Sequence, residues 1–227
     1  MSEKEKILAR VREALRVPAP WPGHFPAPPH ISSEPASRKA QQWLPRVGNS
    51  SDDRLSLFRK NAVDLKAEFH LLGGLDELSR SLGQLRDAEG WKKIAGHSGE
   101  LTQIACRTLD LPFCRTDQPY DMKELESCDA GITECDALIA QTGSILITSR
   151  SAGGRALSVL PPHHVVLARR EQLIADLPEA FALLKRKYET NYPSFISLIT
   201  GPSRTGDIER ILVLGAHGPK KLTVFCI

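Results

Sequence analysis

Four short segments in the second half of the chain concentrate the residue types that bind or transform small polar molecules. The first is Gln141-Thr142-Gly143-Ser144, a polar turn between the apolar runs Ala137–Ala140 and Ser144–Thr148. Such a turn offers backbone N–H groups and two hydroxyls to an anion; it also reads as an ordinary hairpin in which Gly143 supplies a positive φ. The second runs from Gly153-Gly154-Arg155 to Leu160-Pro161-Pro162-His163-His164. Its glycines permit close backbone approach, and the Arg155 guanidinium could fork onto a carboxylate or phosphate. The paired histidines do not read as a metal site, because adjacent residues of an extended chain point to opposite sides.

The third segment, Gly201-Pro202-Ser203-Arg204-Thr205-Gly206-Asp207-Ile208-Glu209-Arg210, reads as strand, polar loop and short helix. That order sets free N–H groups beside the positive end of a helix. Gly201 and Gly206 match the outer glycines of a P-loop, but Asp207-Ile208 stand where Lys and Ser/Thr are required, which argues against a nucleotide triphosphatase. Asp207 reads as a helix-start residue, or as a partner for Arg204 across the loop. The fourth segment, His217-Gly218-Pro219-Lys220, is a polar turn. His217 in it is either an acid–base group, with an unperturbed pKa of about 6.5, or a plain surface residue. Gly96-His97-Ser98-Gly99-Glu100 resembles a nucleophile elbow without its last glycine. There is no GxGxxG, HExxH or EF-hand pattern.

The elements that must hold these segments are short apolar runs alternating with helices. Ser2–Arg16 places Ile7, Leu8, Val11 and Leu15 on one face of an amphipathic helix. Prolines at 18, 20, 22, 26, 28, 29 and 35 make residues 17–36 a stiff extended connector, with Trp21 and Phe25 pinning it to the domain or facing a partner. Phe58, Ala62, Leu65, Phe69 and Leu72 have helical spacing, with Gly73-Gly74 as a stop. Leu75–Arg86 and Leu177–Tyr188 read as helices; Trp91–Ala95, Val165–Ala168, Phe195–Thr200 and Leu222–Ile227 read as strands. Strands separated by helices predict one α/β domain over residues 37–227 with a largely parallel sheet flanked by helices.

Composition narrows the function classes. Apolar residues make up 41% and charged residues 25% of the 227-residue chain, as expected for a core-forming protein. Net charge is +3, too small an excess for a nucleic-acid binder. The longest uncharged run, Val17–Ser33, contains six prolines and cannot be a membrane helix. With no signal-peptide pattern at the start, a cytoplasmic protein is expected. The five cysteines at 106, 114, 128, 135 and 226 form no CxxC pair, so neither a metal nor an iron–sulfur cluster is expected on this chain. Charge is divided unevenly: residues 1–136 carry a net −2, residues 137–227 a net +5. All four segments lie in the positive part, which suits a small anionic ligand.

Gly131-Ile132-Thr133 with Asp136, Ile139–Ser144, Arg155, Leu160–His163, Gly201–Thr205 with Asp207-Ile208-Glu209, Gly215 and His217–Lys220 together resemble the LUD domain family. The likeness runs from about Ser51 to Ile227, and the first helix and its proline connector fit as well. It implies a fold like the ribose-5-phosphate isomerase and CoA-transferase group. It further implies a part in oxidising L-lactate to pyruvate beside two iron–sulfur partner proteins, which would hold the redox cofactors. The expected ligand site comprises Gln141, Thr142, Gly143, Ser144, Arg155, Gly201, Ser203, Arg204, Thr205, His217 and Lys220, with Asp207, His217 and Asp136 as catalytic candidates. Gln141 stands where the family usually has an acid, which favours a binding or assembly role. A stand-alone enzyme of the CoA-transferase or isomerase type, using Glu134, Asp136 or Asp207, and a non-catalytic scaffold are the alternatives.

Overall fold

A computed structural model describes residues 3–14, 16, 44–205, 213–214 and 217–227. It divides the chain into Met1–Trp43 and Leu44–Ile227. In the first unit α1 (Glu3–Ala14) leaves Ile7, Leu8 and Val11 exposed. Leu15 and the proline connector lie outside the described residues.

The second unit is built on six parallel strands: β1 (Glu68–Leu71), β2 (Ile94–Gly96), β3 (Phe113–Arg115), β4 (Ala130–Glu134), β7 (His163–Ala168) and β12 (Lys221–Cys226), in the order β1-β12-β7-β4-β2-β3. One face is covered by α3 (Leu75–Glu89) and α4 (Glu100–Leu109), whose Leu78, Leu82, Leu101, Ala105 and Leu109 pack on Ile94, Ile132, Val165 and Phe225. On the other face lie α2 (Ser51–Asp64) and a second sheet. That sheet comprises β5 (Ala137–Ile139), β6 (Ser144–Thr148), β8 (Leu173–Ile174) and β9 (Ile196–Ile199), in the order β8-β5-β6-β9. Phe58, Leu138, Ile145, Ile147, Val166 and Val224 fill the space between the sheets. The outer face of the second sheet carries α6 (Leu177–Tyr188), held by Ala180, Leu184 and Tyr188. A short α5 (Met122–Glu126) covers the β2–β3 edge beside Cys114, Cys128 and Leu157. The expected parallel-rich α/β architecture is therefore present, with helices on the parallel sheet. Among the described residues no helix is long and apolar enough to cross a membrane.

The 3.6-residue spacing through Phe69 and Leu72 misleads. The helix ends at Asp64 with Leu65 as its cap, Lys66 turns at φ 69, and Glu68–Leu71 joins the sheet edge in parallel register with Thr223–Cys226. Pairing with β12 overrides the local period, and Phe69 and Leu72 are buried in the strand arrangement. The predicted helix after Gly206 falls outside the described residues, as does Asp207; what is described there is a two-residue ribbon, β10 (Arg204–Thr205) against β11 (Val213–Leu214).

Candidate functional site at the carboxyl ends of the parallel strands

The strand order creates a crevice. From β2 the chain moves outward to β3, whereas from β4 it moves the opposite way towards β7. In open parallel sheets, the point where successive connections diverge is where ligands bind, at the carboxyl ends of the strands. Here those ends deliver His97-Ser98-Gly99 after β2, Glu134 at the end of β4, and Arg115-Thr116-Asp117 at the end of β3.

Each group is fixed by its neighbours. Glu134 Oε1 accepts the N–H groups of Leu101 (3.0 Å) and Thr102 (3.3 Å), placing a carboxylate on the first turn of α4, where unpaired N–H groups and the helix dipole favour negative charge. His97 Nδ1 accepts the Gly99 N–H at 3.0 Å, and Nε2 lies 3.2 Å from Thr102 Oγ1. The Glu134 N–H also points at Nε2, at 3.4 Å, so both ring nitrogens are held within the protein. Burial holds the His97 pKa below its usual value, although Glu134 and Asp117 pull the other way, so the ring is neutral at pH 7. Arg115 forks onto Asp117 through two hydrogen bonds of 2.9 Å, which keeps the Asp117 carboxyl far below the usual carboxylate range.

The turn after β6 closes the crevice. Gly153 has φ +60, and a Cβ there would sit 2.3 Å from the His97 Cβ; its carbonyl accepts Thr116 Oγ1 at 2.9 Å. Only glycine meets both demands. Beside the crevice a cavity of about 380 Å³ is lined by His97, Gln103, Cys106, Arg107, Phe113 and Arg115. Its wall combines an aromatic ring and a thiol with an amide, an imidazole and two guanidinium groups. Burial pushes the Cys106 thiol up to about 12, so that sulfur is a neutral lining group rather than a nucleophile. The lining thus sets guanidinium and amide donors beside an apolar ring.

The residues expected to form one ligand site are split between the two ends of the sheet. The Gly153–Arg155 segment belongs to the carboxyl end, where the Arg155 guanidinium lies 5.9 Å from the centre of the Phe195 ring. The others gather at the amino end, around the last turn of α2. Asn61 donates to the carbonyls of Ala140 and Gln141, and Gly143 packs on Asn61 and Ala62. Gln141 spends its amide on Pro45 O. Ser144 Oγ meets Thr200 Oγ1 at 2.8 Å, and the Thr142 hydroxyl is buried without a hydrogen-bond partner. Arg204 donates at 2.6 Å to Leu65 O, a free carbonyl of the α2 terminus, and Gly201 lies against the same atom. Ser203 N–H bonds to Pro219 O, and Lys220 N–H bonds to Pro162 O just ahead of β7. The His217 and Lys220 side chains are exposed, and the Thr205 side chain lies outside the described residues. Among the described residues the expected site is therefore divided: its loops tie α2 to both sheets at one end, while the cavity lined by His97 and Arg115 opens at the other.

Asp136 takes a third position, on the α6 side. Its buried Oδ1 accepts Lys187 Nζ (2.5 Å) and Tyr188 Oη (2.7 Å). Burial alone would raise its pKa, but the hydrogen bonds from Lys187 and Tyr188 outweigh this and hold it below the usual value. His163 and His164 face opposite sides of β7, His163 towards Thr223 and Trp91, His164 towards Thr133. Among the described residues, no three His, Cys, Asp or Glu side chains converge as a metal-ligand set. Sequence reasoning missed the role of His97, Gln103, Arg107, Phe113 and Arg115. The signal available was the strand–Gly-His-Ser-Gly–helix passage at residues 94–100, set aside once the elbow motif failed.

Comparison with known proteins agrees with this architecture. The crystal structure of a DUF162 family protein from Deinococcus radiodurans superposes with a TM-score of 0.62 at 22% identity, covering 79% of this chain and 99% of that one. In sequence the chain is similar to the lactate utilization protein C of Shouchella clausii, 27% identical over 194 residues (82% of this chain, 84% of that protein). A protein of the same name from Geobacillus thermodenitrificans is 27% identical over 206 residues, covering 83% and 84%. The LUD domain model matches residues 57–227, so the chain belongs to the LUD domain family.

Proposed function

We propose that this chain is a non-redox subunit of a cytoplasmic L-lactate utilisation system, acting with iron–sulfur partner proteins in the oxidation of lactate to pyruvate. The observation that carries this reading is the likeness to proteins named lactate utilization protein C along 82% of the chain. The site chemistry supports it. A hydroxy or keto acid of three carbons fits the α4–β3 cavity with its carboxylate towards Arg107 and Arg115 and its methyl group on Phe113. The thiols suit the division of labour. Cys114 and Cys128 share one small core, Cys135 and Cys226 another, and Cys106 lies apart on α4, so they offer no set of converging thiolates for a cluster. Electrons would then pass through the partners.

Calorimetric titration with L-lactate, pyruvate and inorganic phosphate tests the binding step. A carboxylate is expected to bind, with Arg115→Gln weakening it at least tenfold, on the order of 1.4 kcal/mol. Reconstitution tests the rest: lactate-dependent reduction of an acceptor dye is expected only when the iron–sulfur partners are added. If the chain alone oxidised lactate and the partners added nothing, the subunit reading would fail. A second reading, a transferase of the CoA-transferase type, is favoured by the place of Glu134 at a strand carboxyl end. Loss of acyl-group transfer in Glu134→Gln, with lactate binding unchanged, would replace the first reading with the second.

A further inference from the structure

The outer face of the second sheet is incompletely covered. α6 lies over β5 and β6, but its Phe181 is 61% exposed, and on the neighbouring β9 Ile196 and Leu198 are 40% and 39% exposed. Between them a groove of about 210 Å³ is lined by Leu146, Ala180, Phe181, Leu184, Ile196 and Leu198, with Ser197 as its polar member. β9 is also an edge strand: it pairs with β6, and among the described residues its other side carries no ladder. Unpaired N–H and C=O groups beside exposed apolar side chains are a template for strand addition, which natural proteins usually blunt with charge, proline or a cover.

The surrounding charge says what kind of strand fits. Lys185, Arg186 and Lys187 are exposed on the last turns of α6, and Arg150 lies over the Tyr188 ring beside them. Two acids are engaged at the start of this helix, where Asp176 accepts the Glu179 N–H and Glu179 accepts the Ala175 N–H; one exposed acid, Glu189, stands at its C-cap against three cations in the last turns. No acid occurs in the sequence from Ala137 to Arg170, so β5, β6 and their turns add none. A second copy of this chain would bring the same cations to the same rim, which disfavours self-association through this face.

We infer that the α6–β9 groove docks an extended segment of an acidic partner protein, one whose apolar residues alternate with carboxylates and whose backbone adds to β9. Apolar side chains on one face of the added strand would enter the groove beside Phe181, Ile196 and Leu198; flanking carboxylates would meet Lys185, Arg186 and Arg150. This surface lies on the opposite side of the second sheet from the parallel sheet that carries the cavity, and the inference stands without the lactate reading.

The test uses the full-length chain and two labelled peptides, one alternating Val with Glu and the other Val with Lys, followed by fluorescence anisotropy. The glutamate peptide is expected to bind at least tenfold tighter than the lysine peptide, weakening as salt is raised. Phe181→Glu with Leu198→Glu is expected to remove binding while leaving the melting temperature close to that of the parent, since both side chains are exposed. Equal binding of the two peptides, no binding, or binding that survives the double substitution overturns the inference. So does a dimer in sedimentation that Leu198→Glu dissociates, which would give the face to a second copy. So too does tighter peptide binding in Ile7→Glu with Val11→Glu, which would give it to the chain's own first helix.

Discussion

The two ends of the parallel sheet solve different problems with similar residues. At the carboxyl end, Gly153 at positive φ packs on His97, and His97 and Arg115 line a cavity together with Gln103 and Arg107. At the amino end, a glycine at positive φ and an arginine, Gly201 and Arg204, press on the terminal carbonyl of α2, and one Arg204 N–H bonds to it. The difference is geometric. Parallel strands at a switch point part their outgoing loops and leave a gap, whereas the amino end receives the end of α2, the β5–β6 turn and the loop before β12 all at once. Residue type therefore does not distinguish a binding loop from a structural one; the backbone groups left over to be satisfied do.

The largest effect is expected away from both ends and serves as their reference. Lys187→Met leaves the buried Asp136 carboxylate without its cation, with only the Ser151 and Tyr188 hydroxyls beside it, and should cost about 3 kcal/mol in urea unfolding, the low end for a broken buried pair because Lys187 is half exposed. Adding Asp136→Asn should restore much of that loss. The two glycines then separate the ends. Gly153→Val and Gly201→Val should each cost about 1–3 kcal/mol, since a Cβ would lie 2.3 Å from His97 Cβ in one case and 2.7 Å from Leu65 O in the other. Only Gly153→Val should also abolish carboxylate binding; equal loss of binding in both would erase the distinction.

A smaller, graded effect comes from pH. Burial lowers the pKa of His97 and His163, and that of His164 to about 3. These rings are neutral in the folded chain and protonate freely when it unfolds. Stability is thus fully present above about pH 6.5 and declines as pH falls, for His164 down to about pH 3 and by up to about 1.4 kcal/mol per pH unit. His164→Gln, which keeps a polar partner for Thr133, should flatten that slope in chemical unfolding at pH 4–6. The smallest effect is expected of Arg204→Ala, which should lower stability by about 1 kcal/mol through the lost hydrogen bond to Leu65 O and leave ligand titrations unchanged.

Much of the fold was legible in the sequence because periods and punctuation are local. Leu177–Tyr188 and Ser144–Thr148 appear as read, one as a helix with Pro178 near its first turn, the other as a short apolar run after a polar turn. The segment through Phe69 and Leu72 was not legible, because its apolar spacing suits a helix and its pairing partner lies more than a hundred and fifty residues away, at Val224 and Cys226. α4 was passed over although its Leu101, Ala105 and Leu109 keep a four-residue spacing.

The sequence by itself determined the class of the molecule: an α/β core, a family signature, a positive second half and cysteines without ligand spacing. Tertiary structure alone decided which polar residues line a cavity and which tie segments of the fold together. Gln141 and Arg204 read as ligand groups, and each instead gives a hydrogen bond to the carbonyl of a distant segment, Pro45 or Leu65. His97 and Arg115 read as ordinary loop residues until β2, β3 and β4 end side by side and α4 begins beneath them. The physical reason is that a hydrogen-bonding group is available to a ligand only after the fold has satisfied its own buried polar atoms, and those partners come from far along the chain.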